Sequence, residues 1–399
     1  MNNETVVHVL TINAGSSSIK LACYEVTDAP RRLFEGVIEN IGEASATFVV
    51  NGIDQADNSS QSVEAQDHAA AAEILVNWLK QQIDSSTVSA IGHRIVHGGP
   101  KYYEPCVIDE TVVKNLGDLT LFDPEHLPTE LQLIETFNNL FPGIKQVACF
   151  DTAFHHDLPN KARLLAIPRH YEAEGIRRYG FHGLSYTFVL QELRRIAGPD
   201  AAEGRVILAH LGNGVSLAAV HHGQSIDTTM GLTPAAGVPM STRSGDIDPG
   251  LALYIARSEG LNAEQFNTLV NFRSGLLGIS ETTSDMKELL EHEASDSRAK
   301  DAIDIFCYQV KKSIGSLAAA LGGLDTLVFT GGMGENAPKI RARICEGLEF
   351  LGIEVEESQN AAGSNVVSSG SSRVSVRVIH TDESLVIAQS VAQLIAERG

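Results

Sequence analysis

Two arginines and one lysine stand in surroundings that suit anion binding. Arg94 lies within GHRIVHGG, where a guanidinium among apolar residues and glycines is costly unless it is paired with an anion or an acid. Arg243 lies within STRSGDIDP, whose small polar residues leave its planar fork open to a carboxylate or phosphate. Lys20 follows a glycine-bearing turn and is within reach of an anion held there. Each cation also has a structural explanation: an internal ion pair for Arg94, Asp246 as the partner of Arg243, and a solvent-facing position for Lys20.

An aspartate and a histidine have types and positions that suit phosphoryl transfer. Asp151 follows the apolar run Val147–Phe150, at the predicted end of a strand, where open α/β sheets place functional groups. His182, flanked by small residues in YGFHG, could donate a hydrogen bond to a transferring phosphoryl group. Asp151 is equally consistent with a helix N-cap, and a lone histidine is more often structural.

Three turns rich in Gly, Ser and Asn add a second indication of anion binding. They are NAGSSS at 13–18, GNG at 212–214 and TGGMGEN at 330–336. Backbone N–H groups in such turns form concave anion sites, because small residues let the backbone approach a phosphate closely. Taken alone, each turn is more simply a plain hairpin or loop. Their number, and the basic residues near them, favour a phosphate-bearing ligand, although neither the P-loop nor the dinucleotide-binding signature is present.

The elements that must position these groups follow from hydrophobic patterning. Residues 6–12 and 19–26 are predicted as paired strands around the first turn, and 205–220 repeats the arrangement around the second. This repetition predicts a duplicated architecture with a domain boundary near residue 150. Helices are predicted around 74–83, 303–321 and 384–396, a strand at 324–329, and surface loops at 54–67 and 358–372.

Composition excludes several classes of function. Thirty Lys and Arg against fifty Asp and Glu give a net charge of −20, which repels nucleic acid and anionic membranes. Five cysteines without paired spacing indicate neither a disulfide framework nor a zinc site. With no signal-like or membrane-spanning run, a cytoplasmic protein is expected.

Seven blocks in order resemble the acetate kinase family, within the sugar kinase, Hsp70 and actin superfamily: NAGSSSIK, GHRIVHGG, FDTAFH, RRYGFHG, HLGNG, TRSGDIDP and GGMGEN. The resemblance implies an α/β protein of two duplicated ribonuclease-H-like domains, with ATP in the cleft between them. Residues 1–150 would form the N-terminal domain, with the C-terminal helix 384–399 packing back on it. Residues 151–383 would form the domain that binds the nucleotide and makes a homodimer.

The resemblance also implies a role for individual residues. Asn13 and Glu383 would hold Mg²⁺, with Mn²⁺ as the alternative ion, and Arg94 would hold the carboxylate substrate. The catalytic residues would be Asp151, His182 and Arg243, and the acyl pocket would be lined by Val96, Phe181 and Pro234. ATP would be bound by Lys20, His210, Leu211, Gly212, Asn213, Gly214, Asp285, Met286, Lys287, Gly331, Gly332, Met333, Gly334 and Glu335. Because a carboxylate substrate has no proton to remove, we expect Asp151 to orient Mg²⁺ or an arginine rather than to act as a base.

The implied activity is reversible transfer of the γ-phosphoryl group of ATP to acetate, giving acetyl phosphate and ADP. The sequence departs from the family pattern at Glu125, which is predicted to stand where a leucine usually closes the acyl pocket, and at Tyr186 and Lys287, which replace a histidine and an arginine. A kinase for propionate or for a more polar short acid is therefore an alternative. An ATP-switched binding protein of the Hsp70 or actin type is another, against which the presence of two anion-binding arginines argues.

Overall fold

The computed structural model describes residues 7–15, 17–27, 30–42, 45–52, 58–84 and 87–397. The chain divides into two compact units, Met1–Ala153 with Asp382–Gly399, and Phe154–Thr381. The second unit therefore begins at Phe154 rather than at residue 151, and both Asp151 and Glu383 belong to the first unit. Across the described ranges, every helix is too short or too polar to traverse a lipid bilayer.

The first unit is built on an eight-stranded sheet with the strand order β5-β4-β3-β2-β1-β6-β8-β7. Its strands are β1 Val7–Ala14, β2 Ser18–Val26, β3 Arg31–Glu39, β4 Ala46–Asn51, β5 Ser59–Val63, β6 Val88–Ile95, β7 Cys106–Val107 and β8 Lys145–Phe150. Its helices are α1 His68–Gln82, α2 Glu110–Asp118, α3 Leu127–Leu140 and, at the end of the chain, α16 Glu383–Ala396, with a 3₁₀ turn at Leu119–Leu121.

Helices cover both faces of this sheet because its central strands are apolar on both sides. On β6, Ile91 and His93 face α3, and the ring of His93 packs edge-on to Phe137. Gly92, between them, faces the other way, where a Cβ would lie 2.4 Å from Ile387 and 2.7 Å from Val391 of α16. The C-terminal helix therefore packs on the first unit, and Gly92 is the residue that lets it approach β6 closely.

The second unit holds a five-stranded sheet with the order β11-β10-β9-β12-β13. Its strands are β9 Val206–Leu211, β10 Val215–His221, β11 Gln224–Thr228, β12 Thr326–Thr330 and β13 Ser375–Val378. Its helices are α4 Asn160–Arg163, α5 His170–Ala173, α6 Gly183–Ala197, α7 Pro199–Glu203, α8 Pro249–Glu259, α9 Ala263–Phe272, α10 Gly275–Ser280, α11 Met286–His292, α12 Ser297–Leu321, α13 Gly331–Asn336, α14 Pro338–Cys345 and α15 Glu357–Ala361. Further 3₁₀ turns lie at Ala153–His155 and Glu349–Leu351.

The two sheets share one topology. In each, three strands pair antiparallel in the order three-two-one, and two further strands are added parallel to strand one: β3-β2-β1-β6-β8 and β11-β10-β9-β12-β13. This is the duplicated ribonuclease-H-like arrangement, and it confirms the predicted fold class. In both sheets the first hairpin turn is one of the Gly-rich turns noted in the sequence, although Ser16 of the first turn and Val6 of the predicted first strand lie outside the described residues.

Two expected loops contain regular structure. The polar segment Ser59–Val63 forms β5, which pairs antiparallel with β4, and Glu357–Ala361 forms the short helix α15. Both segments were predicted as surface loops, and the predictions were wrong at these residues; residues 54–57 of the first segment lie outside the described residues. The side chains of β5 are mostly exposed, so its sequence lacks the apolar alternation by which strands are predicted.

Candidate active site

Arg94 and Asp151 form a buried ion pair at one edge of the first sheet. Strands β6 and β8 are parallel neighbours, so Arg94 near the end of β6 and Asp151 after β8 arrive side by side. Arg94 donates from Nε and Nη2 to Asp151 Oδ2 at 3.0 and 2.5 Å, and from Nη1 to the carbonyl of Ala14 at 2.8 Å. A guanidinium has five N–H donors, so these contacts with described residues use three and leave one on each of Nη1 and Nη2.

Acidic neighbours stabilise the positive charge of Arg94. Burial alone would lower the pKa of Arg94, but Asp151, Glu383 and Glu130 together raise that pKa above its ordinary value. The contact with Asp151 is the internal ion pair considered for Arg94, and the role of Asp151 in orienting that arginine for a substrate stays a prediction. The two remaining donors match the two oxygens of a carboxylate.

Glu130 is a buried carboxyl group that the sequence analysis missed. It lies on α3, is 2% exposed, and accepts from the backbone N–H of Val96 with both oxygens at 3.1 Å. Its Oε1 is 3.9 Å from Arg94 Nη1. Burial raises the pKa of Glu130 to about 8, against the opposing effect of Arg94. The sequence does contain a signal for its burial, because Glu130 falls at helical spacing with the apolar residues Leu127, Ile134 and Phe137. Glu125, the carboxylate expected beside the acyl pocket, is half-buried in the turn before α3.

Asn13 and Glu383, the residues expected to hold a metal, are in direct contact. Asn13 on β1 donates from Nδ2 to Glu383 Oε2 at 2.7 Å, and Glu383 is the first residue of α16. Among the described residues there is no cluster of three His, Cys, Asp or Glu side chains that could hold a metal ion by itself. One carboxylate with an amide oxygen nonetheless fits Mg²⁺, which keeps several waters and takes further oxygens from substrate phosphates.

Lys20 lies opposite Asn13 in the β1–β2 pairing, so the two side chains project from the same face of the sheet. Its Nζ is 2.6 Å from Oε2 of the buried Glu35, which Arg32 also contacts. Burial opposes ionisation of Glu35, but Lys20 and Arg32 lower the pKa of that carboxyl. Lys20 is thus paired with Glu35, and a third of its side chain remains accessible to solvent.

In the second unit, His182 and Arg243 converge on the GNG turn. A Cβ built on Gly214 would lie 3.0 Å from His182 Nε2 and 3.6 Å from Arg243 Nη1. Arg243 Nη1 also donates to the carbonyl of the buried Pro234 at 3.4 Å. The loop that carries Arg243 is tied to the turn, because the N–H of Ser241 donates to the carbonyl of Asn213 at 3.3 Å. Asp246, the alternative partner considered for Arg243, accepts instead from the N–H of Gly237 at 2.8 Å.

His182 is held in an uncommon backbone conformation before α6. Its φ of 61° is left-handed, and its Nδ1 is hydrogen-bonded at 2.9 Å to Ser216 Oγ, which also contacts the hydroxyl of Tyr186. The ring stacks on His210, with the centroids 4.2 Å apart, and His210 Nδ1 bonds Ser185 Oγ. Tyr186, the departure from the family pattern, is therefore part of the support for His182. Phe181, just before it, is buried and its carbonyl contacts Nε2 of His155.

A cavity of about 610 Å³ lies beside the same turn. Seven of the residues expected to bind the nucleotide line it: Gly212, Asn213, Asp285, Met286, Lys287, Gly332 and Met333. The other residues that line the cavity were not predicted from the sequence: Ser241, Ser284, Leu290, Glu291, Asn336, Ala337, Pro338 and Lys339. Its volume lies in the range of sites for small ligands and cofactors.

Other residues expected to bind ATP support the turns rather than line this cavity. Gly331 has a φ of 77°, and a Cβ there would lie 3.0 Å from the backbone of Leu211. Glu335 Oε1 accepts from the N–H groups of Gly331 and Thr381, at 2.9 and 3.2 Å. Asp285, which does line the cavity, also caps α11 by accepting from the N–H of Lys287 at 2.6 Å.

Two sheets of this duplicated topology, with a cavity beside the glycine turns of the second, define the fold of the actin-like ATPase class. Within that class, the chain belongs to the acetokinase family, whose model matches residues 8–389. Members of this family transfer a phosphoryl group to a carboxyl acceptor.

Individual relatives agree with this assignment. The chain is 41% identical over 391 residues to an acetate kinase of Rhodopseudomonas palustris, covering 97% of this chain and 98% of that protein. Its fold matches the crystal structure of Porphyromonas gingivalis acetate kinase with a TM-score of 0.85 and 35% identity, over 98% of this chain and 100% of that one. A propionate kinase from Francisella tularensis subsp. tularensis matches with a TM-score of 0.88 and 36% identity, over 96% of this chain and 98% of that one.

Proposed function

We propose that this protein is an acetate kinase, which transfers the γ-phosphoryl group of ATP reversibly to acetate and uses Mg²⁺. The observation that carries the proposal is the convergence of His182 and Arg243 on Gly214, beside the nucleotide-sized cavity. A protein that only changes shape on binding ATP has no need for a cation and a histidine at the phosphate turn. The names of the relatives support the same activity.

Arg94 binds the acceptor in this proposal. A short carboxylic acid is ionised at neutral pH, so the nucleophile needs no general base, and repulsion between two anions is the main obstacle. The two N–H donors of Arg94 left by Asp151 and Ala14 take the acceptor carboxylate as a fork. Asp151 holds that fork in one orientation. The backbone of Val96, with Phe181 and Pro234, is assigned to the acyl pocket.

The donor is bound by the second unit. The cavity between the GNG turn and α11 takes the adenosine moiety, and the phosphates of ATP are assigned to the glycine turns that border this cavity. Arg243 and His182 then stabilise the charge that develops on the equatorial oxygens of the transferring phosphoryl group. Lys20, held by Glu35, is assigned to the nucleotide phosphates.

Asn13 and Glu383 are assigned to Mg²⁺, with Mn²⁺ as a substitute. When bound there, the ion would neutralise negative charge on the nucleotide phosphates. The residues of this chain contribute two oxygen donors held together by the 2.7 Å contact between the side chains.

Assembly as a homodimer through the second unit is also proposed. Several large apolar side chains on α8, α9 and α12 are exposed, with Tyr254 69% and Tyr308 59% accessible. Leu253, Phe272 and Ile305 belong to the same set. Exposed aromatic side chains in such numbers are typical of interaction surfaces. Light scattering during gel filtration tests the proposal, and we expect the mass of two chains.

An acid panel tests the proposed activity. Trapping acyl phosphate with hydroxylamine in the presence of Mg²⁺-ATP and acetate, propionate or butyrate should give the fastest product formation with acetate. Faster turnover of propionate would identify a propionate kinase, the name borne by the Francisella relative. Pyrophosphate in place of ATP serves as the donor control, and no acyl phosphate from any acid with either donor would contradict the proposal.

A further inference from the structure

Glu130 is a carboxyl group at the acceptor site without a role in the mechanism above. Glu130 lies on α3, whose Leu133 and Phe137 pack in the hydrophobic core of the first unit. With 2% of its surface exposed, it lies in a region where a carboxylate loses nearly all of its hydration. A glutamate is retained in such a place only at a cost in stability, so a function for it is a reasonable expectation.

The side chain connects two parts of the acceptor site. Both oxygens accept from the N–H of Val96, and Oε1 lies 3.9 Å from Nη1 of Arg94. That separation is too long for a hydrogen bond, so Arg94 Nη1 keeps its bond to Ala14 and its second hydrogen. Glu130 therefore fixes the backbone that follows Arg94 without occupying the guanidinium.

The charge balance around Arg94 favours the neutral form of this carboxyl group. Asp151 already matches the single positive charge of Arg94, and Glu383 adds a further negative charge in its vicinity. The charged groups that act on Glu130 are Arg94 from β6, Asp151 after β8 and Asp123 from the turn before α3, where Asp123 contacts His126. An ionised Glu130 would add one more negative charge and repel a carboxylate acceptor.

We propose that Glu130 is a positioning residue of the acceptor site, which holds the Val96 backbone behind Arg94 and leaves the guanidinium able to receive a carboxylate. The proposal rests on the proposed kinase function and names the group that sets acceptor affinity. Because its proton is lost in mildly alkaline solution, the affinity for the acceptor falls as the pH rises through that range, whereas the affinity for ATP does not.

The test compares wild type with Glu130→Gln from pH 6.5 to 9.5. Glutamine keeps an oxygen acceptor for the Val96 N–H and cannot ionise. In wild type the KM for acetate should rise at least fivefold between pH 7 and pH 9, with a smaller change in kcat and in the KM for ATP. In Glu130→Gln the KM for acetate should stay within twofold over the same range. Glu135→Gln, the same change at an exposed position of α3, should reproduce the wild-type profile.

Each alternative result overturns the proposal. A wild-type KM for acetate that does not change between pH 7 and pH 9 would show that no such group titrates there, even if Glu130→Gln fails to fold. The same rise in wild type and in Glu130→Gln would assign the titration to another group.

A stability measurement separates failure of this proposal from failure of the proposed function. The raised pKa means that the folded state holds a proton which the unfolded state releases near pH 4.5, so wild type loses stability as the pH rises from about 5 to about 8. Glu130→Gln lacks this loss. The difference between their free energies of unfolding should therefore change with pH even if the protein phosphorylates no acid, and a constant difference would contradict a neutral Glu130.

Discussion

His182 and Arg243 approach the same glycine from different segments of the second unit, with His182 Nε2 3.0 Å and Arg243 Nη1 3.6 Å from the position of a Cβ on Gly214. One comes from the residue before α6 and the other from the loop before α8. The space that a methyl group would fill is bounded by an imidazole, a guanidinium and the backbone of the turn. The absence of a side chain at Gly214 is therefore what lets both groups lie against the turn.

Gly214→Ala should therefore lower kcat while leaving the fold intact. The new methyl group displaces the imidazole from its contact distance, and we expect a loss of at least about tenfold in kcat, since small displacements of positioned groups are costly. Steady-state kinetics and thermal unfolding check this. Gly315→Ala, in α12 with open space around it, is the matched control and should leave both activity and stability close to wild type. Unchanged kcat in Gly214→Ala would argue against a reacting group at this turn.

Removing the side chain of Arg243 or of His182 should lower kcat much more than altering the glycine does. Arg243→Ala and His182→Ala each lose a group aimed at the developing phosphoryl charge, and we expect kcat to fall by about 10² to 10³. Arg243→Lys should recover little, because an ammonium lacks the planar fork. Equilibrium binding of ADP should change less than tenfold. Loss of nucleotide binding in proportion to kcat would assign these residues to ground-state binding instead.

The Arg94–Asp151 pair should control use of the acceptor. Arg94→Ala should abolish detectable acyl phosphate formation, and Asp151→Asn should lower kcat/KM for acetate by about a hundredfold or more, because it leaves a buried guanidinium without its counter-charge. The KM for ATP should be affected less. Arg195→Ala, which removes a surface pair with Glu192, is the control and should be neutral. Wild-type turnover in Arg94→Ala would remove the acceptor site from this account.

Two buried histidines predict loss of stability in acid. Burial lowers the pKa of both His93 and His155 from 6.5 to about 4. The unfolded chain therefore takes up protons before the folded chain does, and the stability is present above about pH 6.5 and lost as the pH falls towards 4. We expect each to contribute about 2 to 3 kcal/mol to the difference in unfolding free energy between pH 7 and pH 4.5. Urea unfolding should show a smaller difference for His155→Asn and an unchanged one for His292→Asn, an exposed control. An equal pH dependence in all three proteins would contradict buried neutral histidines.

Among the elements with an apolar face, the sequence predicted the two hairpins, strand β12 and helices α1, α12 and α16, but not α3 or α6. The hairpin β1–β2 and its counterpart β9–β10 were visible as paired apolar runs around Gly-rich turns, and their repetition predicted the duplication. Strand β5 was missed because Ser59–Val63 is almost entirely polar and exposed, and is a strand only through its pairing with β4. Pairing with an adjacent strand is not visible in the residues of the segment itself.

The residues of the site were predictable as types, but their contacts were not. Arg94 was identified by its apolar surroundings, whereas its partner depends on β6 and β8 being adjacent in the sheet. Glu130 was overlooked because no helix was predicted at Leu127–Leu140, and only the packing of α3 shows that this acid is buried. The left-handed φ of His182 likewise follows from the tertiary structure around Ser216 and His210, not from the residues next to it.

In the proposed reaction, an oxygen atom of the acceptor carboxylate forms the new bond to the γ-phosphorus of ATP. The most direct measurement is ³¹P NMR of the wild-type reaction with Mg²⁺-ATP and acetate labelled with ¹⁸O in both carboxylate oxygens. We predict acetyl phosphate whose bridging oxygen carries the label, formed in step with ADP and absent with Arg94→Ala. Production of ADP and inorganic phosphate without labelled acetyl phosphate would contradict the account.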